Sequence, residues 1–401
     1  SYDKESGELV LHNYMDFDNL KDYVKISYEL TQDGLLIGKG KLDEVSVVPH
    51  SEGKTNLQVN VPENGKCYLK LTYHLKKEMP LLEEDYILGF DEIEVSQKDA
   101  KCQLAEKWVE KTVTDSELQV SEDDTQIHIK GREFAYTIDR RTALFTEMKF
   151  AGREYLNHPM ELNIWRAPTD NDMYIKSEWK KAHYDKAYTR AYTTEVVQGK
   201  HGVKITSHAS VVAETVQKIL DVTITWKIEA AGKIDADIAV TKDDEFPDLP
   251  RFGVRMFLDK KLSAARYFGM GPQESYCDKH QAASHGLYQA NVDDLHEDYI
   301  RPQENGSHYD CEYVELNNSR YGIVVSAENA FSFNASYYTQ EELEEKTHNY
   351  ELTESDSVVF CVDYALNGIG SNSCGPVVLE QYRFDDVLFR FQFTLIPYIK
   401  G

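Results

Sequence analysis

The sequence predicts an all-β protein, a small immunoglobulin-like β-sandwich followed by a much larger β-sandwich. Three observations carry that reading. Apolar residues alternate with polar ones at period two through most of the 401 residues. Turn signals punctuate the alternation at short spacing, and no rhythm of strands with long crossover helices appears. The aromatic content is tilted toward tyrosine, 26 residues against 4 tryptophans, which suits strands and polar surfaces better than helical bundles.

The first sandwich is expected over residues 1–95. In "VKISYEL" the residues Val24, Ile26, Tyr28 and Leu30 share a face, and Asp33-Gly34 follows as a hairpin turn. "YLKLTYHL" repeats the pattern with Leu69, Leu71, Tyr73 and Leu75. Such runs imply about seven short strands, the size of an immunoglobulin-like domain. Residues 96–118, "SQKDAKCQLAEKWVEKTVTDSEL", lose the alternation and read as a connector. From 119 to 401 it returns: Val222, Ile224, Trp226 and Ile228 share a face, as do Ile234, Ala236, Ile238 and Val240. Phe389, Phe391, Phe393 and Leu395 repeat it near the end. Helical signals are few. Thr339 with Glu342 forms a capping box, and "SEWKKAHYDKAY" from Ser177 has the length of three turns.

Composition narrows the function classes. A formal charge of -25 repels phosphate backbones and anionic lipid, which argues against nucleic acid and membrane partners. No apolar run approaches the ~20 residues of a membrane helix. The six cysteines are scattered without a CxxC pair, so reduced thiols and a cytoplasmic location are expected. The chain starts at Ser1 without a recognisable leader and reads as a piece of a longer protein.

The densest polar motif is "WRAPTDND", Trp165 to Asp172. As a calcium loop it starts well with Asp170 and Asp172. It fails at Tyr174, at Ile175 where glycine is needed, and at Lys181 where glutamate is needed. As a glycosidase pair it fails because residues i and i+2 on one strand point to opposite faces. The favoured reading is structural: Arg166 pairs with a carboxylate, and Asp170, Asn171 or Asp172 caps a turn. "FGMGPQESY" lacks the third glycine of a dinucleotide fingerprint, with Glu274 in its place. In "IRPQENG" the residues Arg301, Glu304 and Asn305 suit either sugar hydroxyls or a buried ion pair, and the ion pair is favoured. His280 and His285 lack metal-ligand spacing, so no metal site is expected.

Read in order, "LNIWRAPTDND", "LPRFGVRM", "YFGMGPQESYCD", "YIRPQENGSHYD", "YTQEELEEKTHNYEL" and "DYALNGIGSNSCGP" resemble the C-terminal part of a glycoside hydrolase family 2 β-galactosidase. Residues 1–95, with "NYMDFDNL" at their start, resemble its fourth, immunoglobulin-like domain. Residues from 119 resemble its fifth domain, the galactose-mutarotase-like supersandwich or small chain.

The resemblance implies hydrolysis of terminal β-galactosides such as lactose by a whole enzyme whose catalytic glutamates, magnesium and sodium sit on upstream domains. It implies no catalytic residue and no cofactor in this chain. The partners it implies are an upstream TIM barrel, in the same chain or a large subunit, the galactoside itself, and further copies in a homo-oligomer. Met173 and Tyr174 begin a segment similar to a loop at the site entrance. Gly368 to Pro376 corresponds to the loop that presents a tryptophan to the sugar. Here Cys374 stands at that position, flanked by Asn372 and Ser373, and the stacking platform is in doubt. Two other function classes compete. A free-standing sugar 1-epimerase needs a His and a Glu in one cleft, from His280 or His285 with Glu274 or Glu304. A carbohydrate-binding module would show exposed tryptophans on one face, yet none follows Trp226.

Overall fold

The computed structural model describes residues 1–109, 118–370 and 372–400, so the end of the expected connector (110–117) and Ser371 lie outside the described residues. The chain forms two compact units, Ser1–Leu104 with His285–Leu287, and Ala105–Ser284 with the chain from Tyr288 onward. Strands dominate the regular structure of both, and the all-β class holds.

In the first unit, four antiparallel strands run in the order Leu35–Lys41, Val24–Gln32, Cys67–Leu75 and Ile87–Glu94. A second, two-stranded sheet pairs Glu8–Asn13 with Ser51–Asn56. The alternation works as read: Ile26, Leu30, Leu69 and Leu71 turn into a core shared with Leu9 and Leu11. Asp33 and Gly34 both take positive φ (47° and 76°) and close a two-residue hairpin, the twist-matched turn for adjacent strands. Six strands form here, not seven. The stretch 42–50 contributes a buried Val47 but no strand; it is interrupted by Pro49, which cannot donate to a ladder.

The second unit packs a twelve-stranded antiparallel sheet on a five-stranded one. The main path of the large sheet runs Leu156–Asn163, Arg251–Asp259, Ser357–Leu366, Tyr321–Ser336, Leu388–Ile399, Ile234–Lys242, Leu220–Glu229, Gly202–Val212 and Tyr188–Gln198. Ala264–Gly271, Ser284–Asn291 and Ser307–Asn317 extend it from Tyr321–Ser336. The inward residues read from the alternation are buried, from Val222 to Ile228 and from Phe389 to Leu395. Phe145 of the small sheet meets Trp226 edge-on at 4.9 Å. The polar ends of such aromatics need partners when buried, and they find backbone carbonyls: Trp226 Nε1 donates to Ala143 (2.8 Å) and Tyr136 to Gly232 (2.8 Å).

Two helical expectations fare differently. Gln340–Glu345 forms with Thr339 as N-cap, its hydroxyl accepting from the Glu342 N–H at 3.1 Å. The expected three turns from Ser177 shorten to Ile175–Lys181, because His183 adopts φ +58° and breaks the helix before a 3-10 turn at Tyr184–Lys186. The break buries Trp179 and lets Tyr184 donate to the Pro247 carbonyl at 2.7 Å. Within the expected connector, the single turn Glu106–Val109 lays Trp108 against Tyr398, ring centroids 4.0 Å apart. Among the described residues no helix is long and apolar enough to cross a membrane.

His308 lies in the second core against Tyr267 and Phe333, and burial pulls its imidazole down to about 4. Its Nε2 has no partner among the described residues, so a charge there would be unpaired. The unfolded chain protonates this histidine near 6.5 and the folded chain does not. Its contribution is therefore full above pH 6.5 and is lost as pH falls toward 4, about 3 kcal/mol in all. Urea unfolding midpoints measured from pH 7.5 to 4.5 should fall more steeply for the natural chain than for His308→Phe. Parallel curves for the two proteins contradict this assignment.

Candidate functional site

The Leu156–Asn163 strand gives way to "IWRAP", Ile164 to Pro168, which lies outside the ladder. Thr169 then caps a 3-10 turn, Asp170–Asp172. The two aspartates thus stand in a turn, not on the expected strand, so strand alternation does not separate them. They separate for another reason. Asp172 is buried and turned inward, where it accepts the Thr169 N–H at 2.9 Å, while Asp170 is exposed and donates its own N–H to Gln303.

Asp172 is occupied by Arg166. The guanidinium grips it at two points, Nε to Oδ2 at 3.1 Å and Nη2 to Oδ1 at 2.7 Å, with neither side chain appreciably exposed. Burial works against the charge on Arg166, but Asp172 and then Glu304 overcome it, and the pKa stays above its usual value. The remaining donors reach across the chain to the carbonyls of Asn367 and Gly368.

Those carbonyls begin the loop that carries Cys374. Asn171 adds a side-chain bond to the Gly370 carbonyl. From the other side, Asp278 accepts the N–H groups of Ile369 (3.0 Å) and Gly370 (2.7 Å). Glycine is required twice here. A Cβ on Gly368 would stand 2.7 Å from the Asp278 carboxylate, and Gly370 has φ +64°. Residues 367–370 are thereby clamped, while Ser373 and Cys374 beyond them are exposed and Asn372 is half-buried in a turn. Met173 and Tyr174 follow the 3-10 turn, 42% and 61% exposed. The Asn171 bond to Gly370 joins the two segments that carry them and Cys374.

Below the clamp lies a second ion pair. Arg251 holds Asp363 through Nε (3.1 Å) and Nη2, and Glu304 through Nη1 at 3.3 Å. Burial raises the pKa of both acids, and Arg251 offsets it in part. Glu304 therefore sits in an ion pair rather than at a sugar site, with its N–H fixed to the Ala167 carbonyl. Asn305 accepts the Glu297 N–H, and Arg301 is exposed.

The histidines and glutamates of the epimerase reading each have other partners. Glu274 holds Lys279, Tyr299 and the Gly306 N–H, and His280 bonds the Tyr276 carbonyl. His285 groups with the first unit, on Glu92. Beside the clamp a cleft of about 320 Å³ is lined by Cys277, Tyr309, Tyr364, Tyr382 and Arg383. Burial pushes the Cys277 thiol up to about 11, so it stays protonated at neutral pH and is no nucleophile. Among the described residues no three His, Cys, Asp or Glu side chains are grouped to hold a metal.

Sequence reasoning missed Asp278, Arg251 and Asp363. Asp363 had a signal, a lone acid inside the apolar run "VVFCVDYAL", because carboxylates are almost never fully buried unless paired.

Residues 130–395 match the family described as β-galactosidase small chain, and residues 9–96 match β-galactosidase, domain 4. A β-galactosidase of Actinobacillus pleuropneumoniae is 42% identical over 97% of this chain and 38% of its own length. One of Staphylococcus xylosus is 30% identical over 98% of this chain and 39% of its own. The chain thus spans about two fifths of these curated relatives. Among solved structures, a galactose 1-epimerase from Lactobacillus acidophilus is similar at TM-score 0.38 and 8% identity, over 72% of this chain and all of that one.

Two substitutions separate the roles of the clamp residues. Arg166→Ala strands Asp172 in the interior and should cost roughly 3–5 kcal/mol, read as a clear drop in melting temperature. An unchanged melting temperature contradicts the buried pair as drawn. Asp278→Ala frees only the loop backbone, so limited proteolysis should cut within 372–379 faster while the melting temperature moves little.

Proposed function

Because this chain belongs to the β-galactosidase small-chain family, we propose that it is the non-catalytic C-terminal portion of a β-galactosidase, which supports assembly and completes the active-site rim. The whole enzyme hydrolyses terminal non-reducing β-D-galactosides such as lactose. One observation carries the reading: nearly the whole chain aligns with its relatives, yet covers only 38–39% of them. The remainder is the place for the chemistry of a glycoside hydrolase of family 2.

In that chemistry one glutamate attacks the sugar and a second gives and then takes a proton, the two carboxyls about 5 Å apart. Both belong to the upstream barrel, as do the magnesium and sodium. The acids in this chain's motifs serve other ends, Asp172 on Arg166 and Glu304 on Arg251. This chain's part is to hold a loop at a fixed height: Arg166, Asn171 and Asp278 fasten residues 367–370 so that Asn372, Ser373 and Cys374 face the leaving-group side of the galactoside. Met173 and Tyr174 stand beside them at the entrance. The working protein is an oligomer in the cytoplasm.

The isolated chain should not hydrolyse a chromogenic β-galactoside, and adding the upstream region should restore turnover. Hydrolysis by the purified chain alone would sink the proposal. In the assembled enzyme, Cys374→Trp should change KM for lactose and acceptor preference by tenfold or less, since one aromatic contact is worth about 1 kcal/mol. The chemical step, read as kcat on an aryl galactoside, should stay nearly constant. If every kinetic constant is unmoved, Cys374 has no place at the rim.

A further inference from the structure

A cavity of about 580 Å³ in the second unit shares no residue with the clamp or its neighbouring cleft. It opens where Ala264–Gly271 lies between Ser284–Asn291 and Ser307–Asn317, with Trp108 as one wall. Its volume falls in the range of small-molecule pockets, about 300–1,000 Å³.

Its lining pairs donors with acceptors. Arg266 and Glu315 stand directly opposite each other on neighbouring strands. The Arg266 Nε is buried and has no hydrogen-bond partner among the described residues. A guanidinium donor in that position is costly unless something else accepts from it. The Glu315 carboxylate accepts from Tyr313 at 2.8 Å and from Tyr398, while Trp108 Nε1 donates to the Tyr313 hydroxyl at 3.3 Å. Lys400 and Asp294 add one charge of each sign at the edge, and Gln289 adds an exposed amide.

This charge pattern selects among ligands. An anion would be drawn to Arg266 and Lys400 but repelled by Glu315 and Asp294, and a cation would meet the reverse. A neutral polyol offends neither, because each hydroxyl both donates and accepts. Neighbouring hydroxyls can accept from Arg266 and donate to Glu315 at once, while Trp108 gives the ring carbons an apolar wall. We propose that this pocket, built on Trp108, Arg266 and Glu315, is a saccharide-binding site. It stands apart from the rim loop and does not depend on what that loop does.

The protein carries its own reporter. Trp165, Trp179 and Trp226 are buried, so Trp108 is the one tryptophan with appreciable exposure. Titrating the 401-residue chain with lactose should give a saturable change in tryptophan fluorescence at millimolar concentration, absent in Trp108→Phe. Arg266→Met should weaken binding about tenfold or more, the usual loss for a charge-assisted hydrogen bond. Gln289→Ala, at an exposed position that does not bear on folding, should weaken it by a smaller factor and serves if Arg266→Met fails to fold. No saturable response to lactose, or unchanged binding by these variants, overturns the proposal. So does a response to inorganic phosphate in place of lactose, which would make the pocket an anion site.

Discussion

A guanidinium with no exposed surface must satisfy its N–H groups inside the protein, and at Arg166 the way this is done ties two distant stretches of chain together. Two contacts go to Asp172, six residues on, and fix the turn that follows Pro168. The others go to carbonyls some 200 residues away and fix where the 367–370 loop starts. Lysine could not do this, since it lacks the planar fork that grips a carboxylate at two points and keeps donors for other directions. The turn, the loop and the exposed residues beyond them have their positions because this one side chain has no solvent to turn to.

The second pair, Arg251 with Asp363 and Glu304, follows the same logic at greater depth. Taking such charges out of water is expensive, and a well-packed apolar replacement is often as stable. What an apolar trio would not supply is direction. Glu304 spends its backbone N–H on Ala167, the residue after Arg166, so the two arginine systems are linked through main chain as well as through field. The result is a polar layer that sets one arrangement of four chain segments beneath the loop.

Much of this was legible in the sequence, and the limits have physical causes. Period-two alternation is a local signal, and it marked the buried faces of Leu220–Glu229, Ile234–Lys242 and Leu388–Ile399 correctly. "WRAPTDND" announced an arginine in need of a carboxylate. Its partner could be guessed because it lies within the same motif. The carbonyls of Asn367 and Gly368 could not, because a backbone acceptor has no residue identity to read. Asp278 is silent in "GMGPQESYCD" for a related reason: its carboxylate acts through two main-chain N–H groups, which have no residue identity either. The helix from Ser177 was overextended because helical spacing says nothing of His183, whose left-handed backbone answers to the burial of Trp179 and Tyr184 around it.

The place of Leu388–Ile399 in the large sheet has a bearing on how the protein is made. This strand sits between Tyr321–Ser336 and Ile234–Lys242, and within the main path no other strand bridges those two. During synthesis the strands from 188 to 242 and those from 251 to 366 therefore emerge first, each group with a bare edge where the last strand will pair. Unpaired edges of this kind are templates for pairing with other chains, and long-range closure of a sheet is slow. A nascent chain halted before residue 388 would hold most of the core residues and two sticky borders. The ribosome thus releases the piece that seals the sheet only after nearly everything it must seal has been waiting, and chaperone demand should peak in that interval.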